Sequence, residues 1–280
     1  MKLSPRPPIK AERESVRPIS PVAAYIGGKK LLAKQIVPLI DAAEHDTYAE
    51  PFVGMGGIFF RRTMRPRGEV INDLNRDVAT LFRVLQRHYV PFCDMLRFGL
   101  SSRAEFDRLL AVDPDTQTDL ERAARFLYLQ RLTFGGKVAG QTFGVDPSRP
   151  ARFSLTRLEP ILEAVHDRLC DVTIECLRWQ DFLTRYDRPG TLFYLDPPYW
   201  GSEDYYGKEA FSRDEFAEMA DMLAAIKGRF ILSLNDTPEV RALFVAFNQQ
   251  AVTTAYSLNG CSPLRNIARG ELIITGRPGR

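Results

Sequence analysis

The run Thr191-Leu-Phe-Tyr-Leu195 is apolar and β-prone without alternation, and it stops abruptly at Asp196-Pro197-Pro198-Tyr199. A short apolar run bounded by turn residues reads as a strand buried inside an α/β sheet. A residue that precedes proline is pushed into extended geometry, so Asp196 and Pro197 are both held extended. Neither proline carries an N–H, so the turn offers only acceptors: the Asp196 carboxylate and nearby carbonyls. Tyr199 adds an aromatic face. Acceptors beside a stacking surface suit a planar amine, such as the exocyclic NH2 of a nucleobase.

Strand and helix signals alternate on both sides of this point. The pattern predicts a helix over Lys29–Leu39 and a strand over Thr47–Glu50. A glycine-rich turn (51–57) follows, then a helix over Ile58–Met64, a strand over Glu69–Asn72 and a helix over Asp77–Gln86. From about 88 to 165 the texture becomes helical, with Arg103–Leu110 and Leu120–Leu132 around a long loop, Thr133–Ser154. Alternation then returns: strands at Val172–Cys176, Thr191–Leu195, Phe230–Leu234 and Glu271–Thr275, and helices at Arg213–Ile226 and Pro238–Phe247. The expected architecture is one doubly wound α/β domain, residues 21–87 and 166–280, interrupted by a helical subdomain at 88–165. Residues 1–20 are rich in proline and charge, and are expected to form a flexible tail with folded structure starting near Pro21.

Composition narrows the function classes. With 280 residues, 45% hydrophobic and 26% charged, the chain has ample length for a core. No run of about 18 apolar residues exists, so no membrane-spanning helix is expected, and no apolar segment follows the basic N-terminus as a secretory signal requires. Cys93, Cys170, Cys176 and Cys261 lack metal or redox spacing, and His45, His88 and His166 are equally scattered. The expectation is a cytoplasmic protein with reduced thiols and no metal. Net charge is only +3, yet eight basic residues fall in the first 34 against Glu12 and Glu14, and four arginines in the last 20 against Glu271. Basic ends fit either a nucleic-acid partner or an ordinary solvated surface.

The turn Phe52-Val-Gly54-Met-Gly56-Gly57 joins a strand to the next helix, where glycines let a backbone approach a ligand. Such joints also occur merely as tight turns. Glu50 at the strand end and Asp73 after the next strand add acceptors of the kind that hold ribose hydroxyls. A dinucleotide is a competing ligand, but the third position of the Gly-x-Gly-x-x-Gly fingerprint is Phe59. A cofactor with ribose and adenine but no pyrophosphate fits better, and S-adenosylmethionine is the obvious one. Asp181, followed by Phe182, offers an acceptor for the adenine amine with a ring beside it, or is simply an exposed loop aspartate.

Taken in order from about Tyr25 to Gly279, these segments resemble the Dam family of DNA adenine N6-methyltransferases, the alpha group of the amino-methyltransferases, which includes phage and prophage types. Tyr25-Ile-Gly27-Gly28-Lys29 is similar to the family's aromatic-x-Gly-Gly-Lys motif, and Glu50-Pro51-Phe52-Val-Gly54-Met-Gly56 to its cofactor motif. Asn72-Asp73-Leu-Asn75 resembles the acidic ribose motif, Asp181 falls at the adenine position, and Asp196–Tyr199 matches the catalytic motif. Softer likenesses are Phe126–Arg131 to the helix opening the target-recognition region, Ser233–Thr237 to a strand-end motif of the base pocket, and Gly270–Ile274 to the last strand. Three departures stand out from the family member specific for GATC. Ala24 replaces a lysine, and Gly135 follows Phe134 where an aromatic-Asn pair is usual, with no arginine near Ala139.

The resemblance implies a Rossmann-like methyltransferase sheet with an inserted helical target-recognition subdomain. It also implies methyl transfer from S-adenosylmethionine to the exocyclic amine of an adenine flipped out of double-stranded DNA. Catalysis falls to Asp196, Pro197, Pro198 and Tyr199. Cofactor binding falls to Tyr25, Gly27, Gly28, Lys29, Glu50, Pro51, Phe52, Gly54, Gly56, Asp73, Asp181, Phe182 and Asp196. Candidate DNA contacts are Arg131, Phe134, Lys137, Arg149, Arg152 and Trp200, with Tyr205 and Tyr206 extending the aromatic patch. Another planar amine (an RNA base or a glutamine amide) and a non-catalytic DNA-binding relative are the alternatives. A monomer with no obligate protein partner is the default expectation, and neither the recognition site nor a cognate restriction enzyme is readable.

Overall fold

A computed structural model describes residues 13–25, 27–29, 31–144, 148, 150–201, 211–256 and 267–276. The described chain opens with β1 (Glu14–Ser15), followed by α1 (Ala33–Ala42) and β2 (Thr47–Glu50). Next come β3 (Met64–Arg65), β4 (Gly68–Asn72) and α2 (Arg76–Arg87). Four helices, α3 (Tyr89–Leu96), α4 (Arg103–Leu110), α5 (Asp119–Leu132) and α6 (Leu155–Leu169), separate α2 from β5 (Thr173–Glu175). The remainder is α7 (Trp179–Tyr186), β6 (Thr191–Leu195), α8 (Asp214–Ala225), β7 (Arg229–Asn235), α9 (Pro238–Leu243), β8 (Asn248–Tyr256) and β9 (Ile267–Thr275).

Seven strands form one sheet in the order β5-β4-β2-β6-β7-β9-β8. The first five are parallel, and β9 runs antiparallel between β7 and β8. The chain winds outward from β2 through β4 to β5, then returns to pair β6 on the other side of β2 and winds outward again. The reversal lies between β2 and β6, and a crevice opens beyond their carboxyl ends, the usual ligand position of an open α/β sheet.

The lack of alternation in β6 has a simple cause: both of its faces are covered. Leu192 and Tyr194 enter one hydrophobic core while Phe193 and Leu195 enter the other. The first core holds residues of α1, α2 and the inserted helices, and the second holds residues of α7, α8 and α9. Burying each large apolar side chain of this kind contributes about 1.5–3 kcal/mol.

Several local expectations are corrected. No helix covers Ile58–Met64: a single 3-10 turn, Phe59–Arg61, ends at extended Arg62, and Met64–Arg65 pairs with β1. Ile58, Phe59 and Phe60 are buried in succession and Arg62 again, while Thr63 is exposed, so burial here does not follow a helical period. Folded structure begins before Pro21, because Val16 donates to Thr63, Ile19 donates to Phe60 and the Ile19 side chain packs on the core. Helix α1 starts four residues later than expected, with Leu31 exposed and Lys29 buried ahead of it. Strand β8 and helix α7 were not anticipated, and α9 ends at Leu243 rather than Phe247.

The insertion is docked rather than suspended. Thr118 and Glu121 form a capping box that starts α5. Helix α5 buries residues nearly all round, and Arg122 reaches Asp77 of α2 at 2.5 Å. The expected boundary at residue 165 lies inside α6, which packs on α2 as well as on α3.

Candidate cofactor and target-base site

The site assembles where strands end. Asn72 closes β4, and its side-chain amide donates to the Pro51 carbonyl at 2.9 Å and to the Leu177 carbonyl at 3.1 Å. Its side-chain oxygen accepts from Leu177 N–H at 2.8 Å. One buried side chain thereby ties the turn after β2 to the loop after β5. Asp73 accepts from the Gly54 amide at 2.8 Å and the Asn75 amide at 2.9 Å, and Asn75 then caps α2. The two glycines of the turn have different reasons. At Gly54 (φ +50°) a Cβ would sit 2.9 Å from the Tyr25 ring, whereas at Gly56 (φ +73°) it would meet Phe60 at 2.3 Å. Gly54 seats a wall of the site; Gly56 serves the core.

These segments enclose a cavity of about 1090 Å³. Tyr25, Gly27, Gly28, Lys29, Glu50, Pro51, Phe52, Gly54, Asp73, Asp196 and Pro198 line it, so predicted residues from separate stretches of the chain converge. Burial pushes the Glu50 carboxyl up to about 8, against a hydrogen bond from the Tyr48 hydroxyl at 2.7 Å and the Arg62 charge. Burial also pushes Asp73 up to about 6, against the two backbone donors. Among the described residues four cations line the same cavity, and each already has a partner. Arg61 donates to the Gly57 carbonyl, Arg131 to those of Val22 and Arg152, Arg178 pairs with Glu215, and Lys29 pairs with Asp196. With the cations tied and two buried carboxyls that an approaching positive charge would help to ionise, the cavity suits a cationic ligand with hydroxyl donors rather than a pyrophosphate.

Asp196 stands immediately beyond β6. Its Oδ1 lies 2.8 Å from Lys29 Nζ and accepts from Ser233 Oγ at 3.0 Å, and Ser233 contacts the Tyr194 hydroxyl at 2.9 Å. Burial raises the Asp196 carboxyl above its ordinary range, and Lys29 opposes the rise. Lys29 also donates to the Tyr199 hydroxyl at 2.5 Å, which in turn donates to Glu271 of β9. Asn235, at the end of β7, exchanges two hydrogen bonds with the Trp200 backbone and fixes the exit of the Pro-Pro turn.

Some predicted residues do not join the cavity lining. Phe182 turns into the core against Phe193 and Tyr186, and Asp181 is exposed on the solvent side of α7, while Trp179 lines the cavity from the preceding turn. Gly56, Pro197 and Tyr199 also lie outside the lining, although Tyr199 reaches it through Lys29. Trp200 packs on Phe216 with Arg213 over its ring, a packing role rather than an open stacking surface. Phe134 is 58% exposed, Lys137 is exposed, and exposed Arg152 reaches the Thr133 carbonyl at 3.3 Å. Arg149, Tyr205 and Tyr206 lie outside the described residues.

The sequence placed Asn72, Ser233, Gln130 and Glu271 inside motif segments but gave none of them a role or a partner. Buried Gln130 of α5 donates at 2.8 Å to both Ala24 and Gly136 carbonyls, locking the loop after α5 against the Tyr25 segment. A small polar residue at the end of an apolar strand was the available signal for Ser233 and Asn72. Gln130 carried none, because its partners are distant in sequence.

Comparison with known proteins identifies the family. Residues 25–258 match the model of the family described as D12 class N6 adenine-specific DNA methyltransferase. A Type II methyltransferase, M1.LlaDCHI of Lactococcus lactis subsp. cremoris, is 26% identical over 92% of this chain and 95% of its own length. M.CviBI, a Type II methyltransferase of Paramecium bursaria Chlorella virus NC1A, is 21% identical over 81% of this chain and 86% of its own. The DNA N-6-adenine-methyltransferase of Escherichia phage P1 is 26% identical over 79% of this chain but only 30% of its own length.

Proposed function

Because the chain belongs to the D12 class of N6 adenine-specific DNA methyltransferases, we propose that its cavity binds S-adenosylmethionine and that Asp196 receives the amine of an adenine flipped out of duplex DNA. The observation that carries this reading is the position of Asp196, an acceptor at the switch between β2 and β6 that also lines the large cavity.

Tyr25, Phe52 and Trp179 offer aromatic walls, and Glu50 and Asp73 offer acceptors to ribose hydroxyls. When bound, S-adenosylmethionine supplies an electrophilic methyl on a cationic sulfur. Asp196 and the Pro197 carbonyl accept the two N–H bonds of the target amine, which turns its lone pair outward. The Asp196 charge stabilises the positive charge developing on nitrogen, an effect that grows in a water-poor pocket. Tyr199 stacks on the extruded base, and the remaining rate comes from alignment. Extrusion costs a few kcal/mol, roughly the unstacking and unpairing of one base.

Target recognition falls to the insertion that follows α2, with α3, α4 and α5 and the loop after α5. Exposed Phe134 enters the vacated stack, while Lys137 and Arg152 hold phosphates, which gives affinity without sequence choice. Arg131 is occupied by carbonyls and takes a positioning role instead. Gly135 and Ala24 depart from the family member specific for GATC, which argues against GATC as the target without naming another. A monomer suffices, because each strand is methylated in a separate visit. Among the described residues no helix is long and apolar enough to cross a membrane, and a cytoplasmic enzyme fits a DNA substrate.

The decisive experiment is expression in a host without adenine methylation, followed by modification-sensitive sequencing of its DNA. N6-methyladenine confined to one short motif is the expected result. Unmethylated DNA from cells holding folded protein that binds S-adenosylmethionine would overturn the reading in favour of another amine or a non-catalytic relative.

A further inference from the structure

The family resemblance places Lys29 among the cofactor groups, but the structure turns its ammonium onto Asp196 and Tyr199. Its side chain is only 3% exposed, with Nζ 2.8 Å from Asp196 Oδ1, 2.5 Å from the Tyr199 hydroxyl and 4.1 Å from the Tyr199 ring centroid. The backbone enforces this direction. Gly27 has φ +73°, and the Gly28 amide closes onto the Tyr25 carbonyl at 3.0 Å, so the chain enters Lys29 pointing inward.

The groups that Lys29 touches are those a flipped adenine needs, a carboxylate acceptor and an aromatic ring. An ammonium also resembles the developing product, a nitrogen that carries positive charge and donates to Asp196. A second buried carboxylate, Glu271, is 1% exposed and already accepts from Tyr199, so the ammonium has another anionic end to its hydrogen-bond chain.

We propose that Lys29 is the placeholder of the target-amine seat: in the DNA-free protein its ammonium occupies Asp196, and entry of the base moves it toward Tyr199 and Glu271. The move leaves the Asp196 charge available to the reacting nitrogen only once a base is present. It also keeps the seat filled in the DNA-free state, when an unpaired buried carboxylate would be costly. Lys29 thereby acts as a positioning residue, gating Asp196 rather than touching the reacting atoms. The identity of the displacing amine rests on the function proposed above; the Lys29–Asp196 coupling itself does not.

Removing the ammonium has a readout that a purely structural residue lacks. The groups facing Asp196 are Lys29, Glu50 at the end of β2, Tyr194 of β6, Tyr199, Ser233 of β7 and Glu271 of β9. Lys29 is the cation among them that lowers the carboxyl. Single-turnover methylation at subsaturating unmethylated genomic DNA, whose pH dependence reports the DNA-free enzyme, is therefore to be followed across pH for the wild type, Lys29→Met and Lys29→Arg. In Lys29→Met the acid limb is expected to move up by about one pH unit or more, and above that limb the rate is expected to return to at least the wild-type value. Lys29→Arg is expected to keep the wild-type limb. S-adenosylmethionine should bind Lys29→Met no more weakly than the wild type, because a like charge has left the cavity.

An unmoved limb, a rate lost at every pH, or weakened cofactor binding would each overturn the proposal. Glu271→Gln gives an independent arm. It is expected to raise KM for DNA while leaving cofactor affinity unchanged, and Lys29→Met in the same chain is expected to relieve the defect. An unchanged KM overturns the proposal even where Lys29→Met folds poorly. A DNA-free arm separates this inference from the proposed function. The thermal stability of Lys29→Met should fall more steeply than the wild type's as pH rises through the Asp196 titration, and adding Asp196→Asn should remove the difference. Wild-type protein inert on DNA would sink the target, yet this arm would still decide the coupling.

Discussion

The amide of Gly54 donates to Oδ2 of Asp73 at 2.8 Å, so the glycine turn after β2 is held by the acidic residue that follows β4. The same carboxylate accepts from Asn75, which makes Asp73 a structural joint of the cavity as well as an acceptor facing it. Asp73→Ala leaves two backbone donors without this partner, a loss of about 1–3 kcal/mol for each donor that water fails to reach. A lower denaturation midpoint and at least tenfold weaker S-adenosylmethionine binding are expected from calorimetry, at roughly 1.4 kcal/mol per factor of ten. Unchanged affinity would remove Asp73 from the cofactor site.

Asp196→Ala removes the acceptor on which the proposed chemistry depends. Single-turnover methylation should fall by at least about 10²–10³-fold, the scale of losing one preorganised charge-stabilising group. Cofactor affinity, measured separately, should stay close to wild type. Retained turnover would place the chemistry elsewhere.

The two glycines predict different phenotypes. Gly54→Ala drives a Cβ into the Tyr25 ring and should weaken both stability and cofactor binding. Gly56→Ala collides with Phe60 inside the core and should lower the melting temperature with little change in affinity once folded. Each also carries a left-handed backbone penalty of about 1–2 kcal/mol. Equal effects of the two on affinity would contradict the separation.

Glu50 gives a pH dependence of definite sign. Its carboxyl rises from an ordinary 4.5 to about 8 in the folded protein, so between these values the folded state holds more protons than the unfolded state. Stability of the cofactor-free protein should therefore fall as pH rises through this window, by a few kcal/mol at most from this group, on the order of 1.4 kcal/mol for each pH unit crossed. Glu50→Gln should flatten that slope. A bound sulfonium favours the ionised carboxyl, so titration of the cofactor near pH 7 in buffers of different ionisation enthalpy should register proton release. A buffer-independent heat would exclude the coupling.

Phe134 projects from the loop after α5 into solvent. Phe134→Ala should change folding stability by no more than about 0.5 kcal/mol and leave cofactor binding intact, while lowering the methylation rate on duplex DNA. On single-stranded DNA the loss should be smaller, because no stack is vacated. Equal losses on both substrates would deny it a flipping role.

How far the sequence could be read follows the range of the forces involved. Strand β6 with its Asp-Pro-Pro-Tyr end, β2 with its glycine turn, and β4 ending in Asn72-Asp73 are set by patterning and turn chemistry within a few residues, and all were legible. Family resemblance then linked these local pieces to one site. The segment after the glycine turn was misread because Phe59, Phe60 and Arg62 are buried from different sides, Arg62 by pairing with Glu69 and stacking on Tyr48. Strand β8 is polar because one of its edges is unpaired among the described residues, so it lacks the apolar run that marks a central strand.

By itself the sequence determined the strand ends, the acceptor-only turn and the glycine joint, because each depends on backbone preferences of adjacent residues. Only the tertiary structure decided which side chains meet there. Lys29 reaches Tyr199 across 170 positions, Gln130 holds Ala24 across 106, and Asn72 holds Leu177 across 105. It also decided that Phe182 faces the core while Trp179 faces the cavity. Such pairings are settled by how the sheet and helices pack, since hydrogen bonds and burial act at contact distance irrespective of separation along the chain.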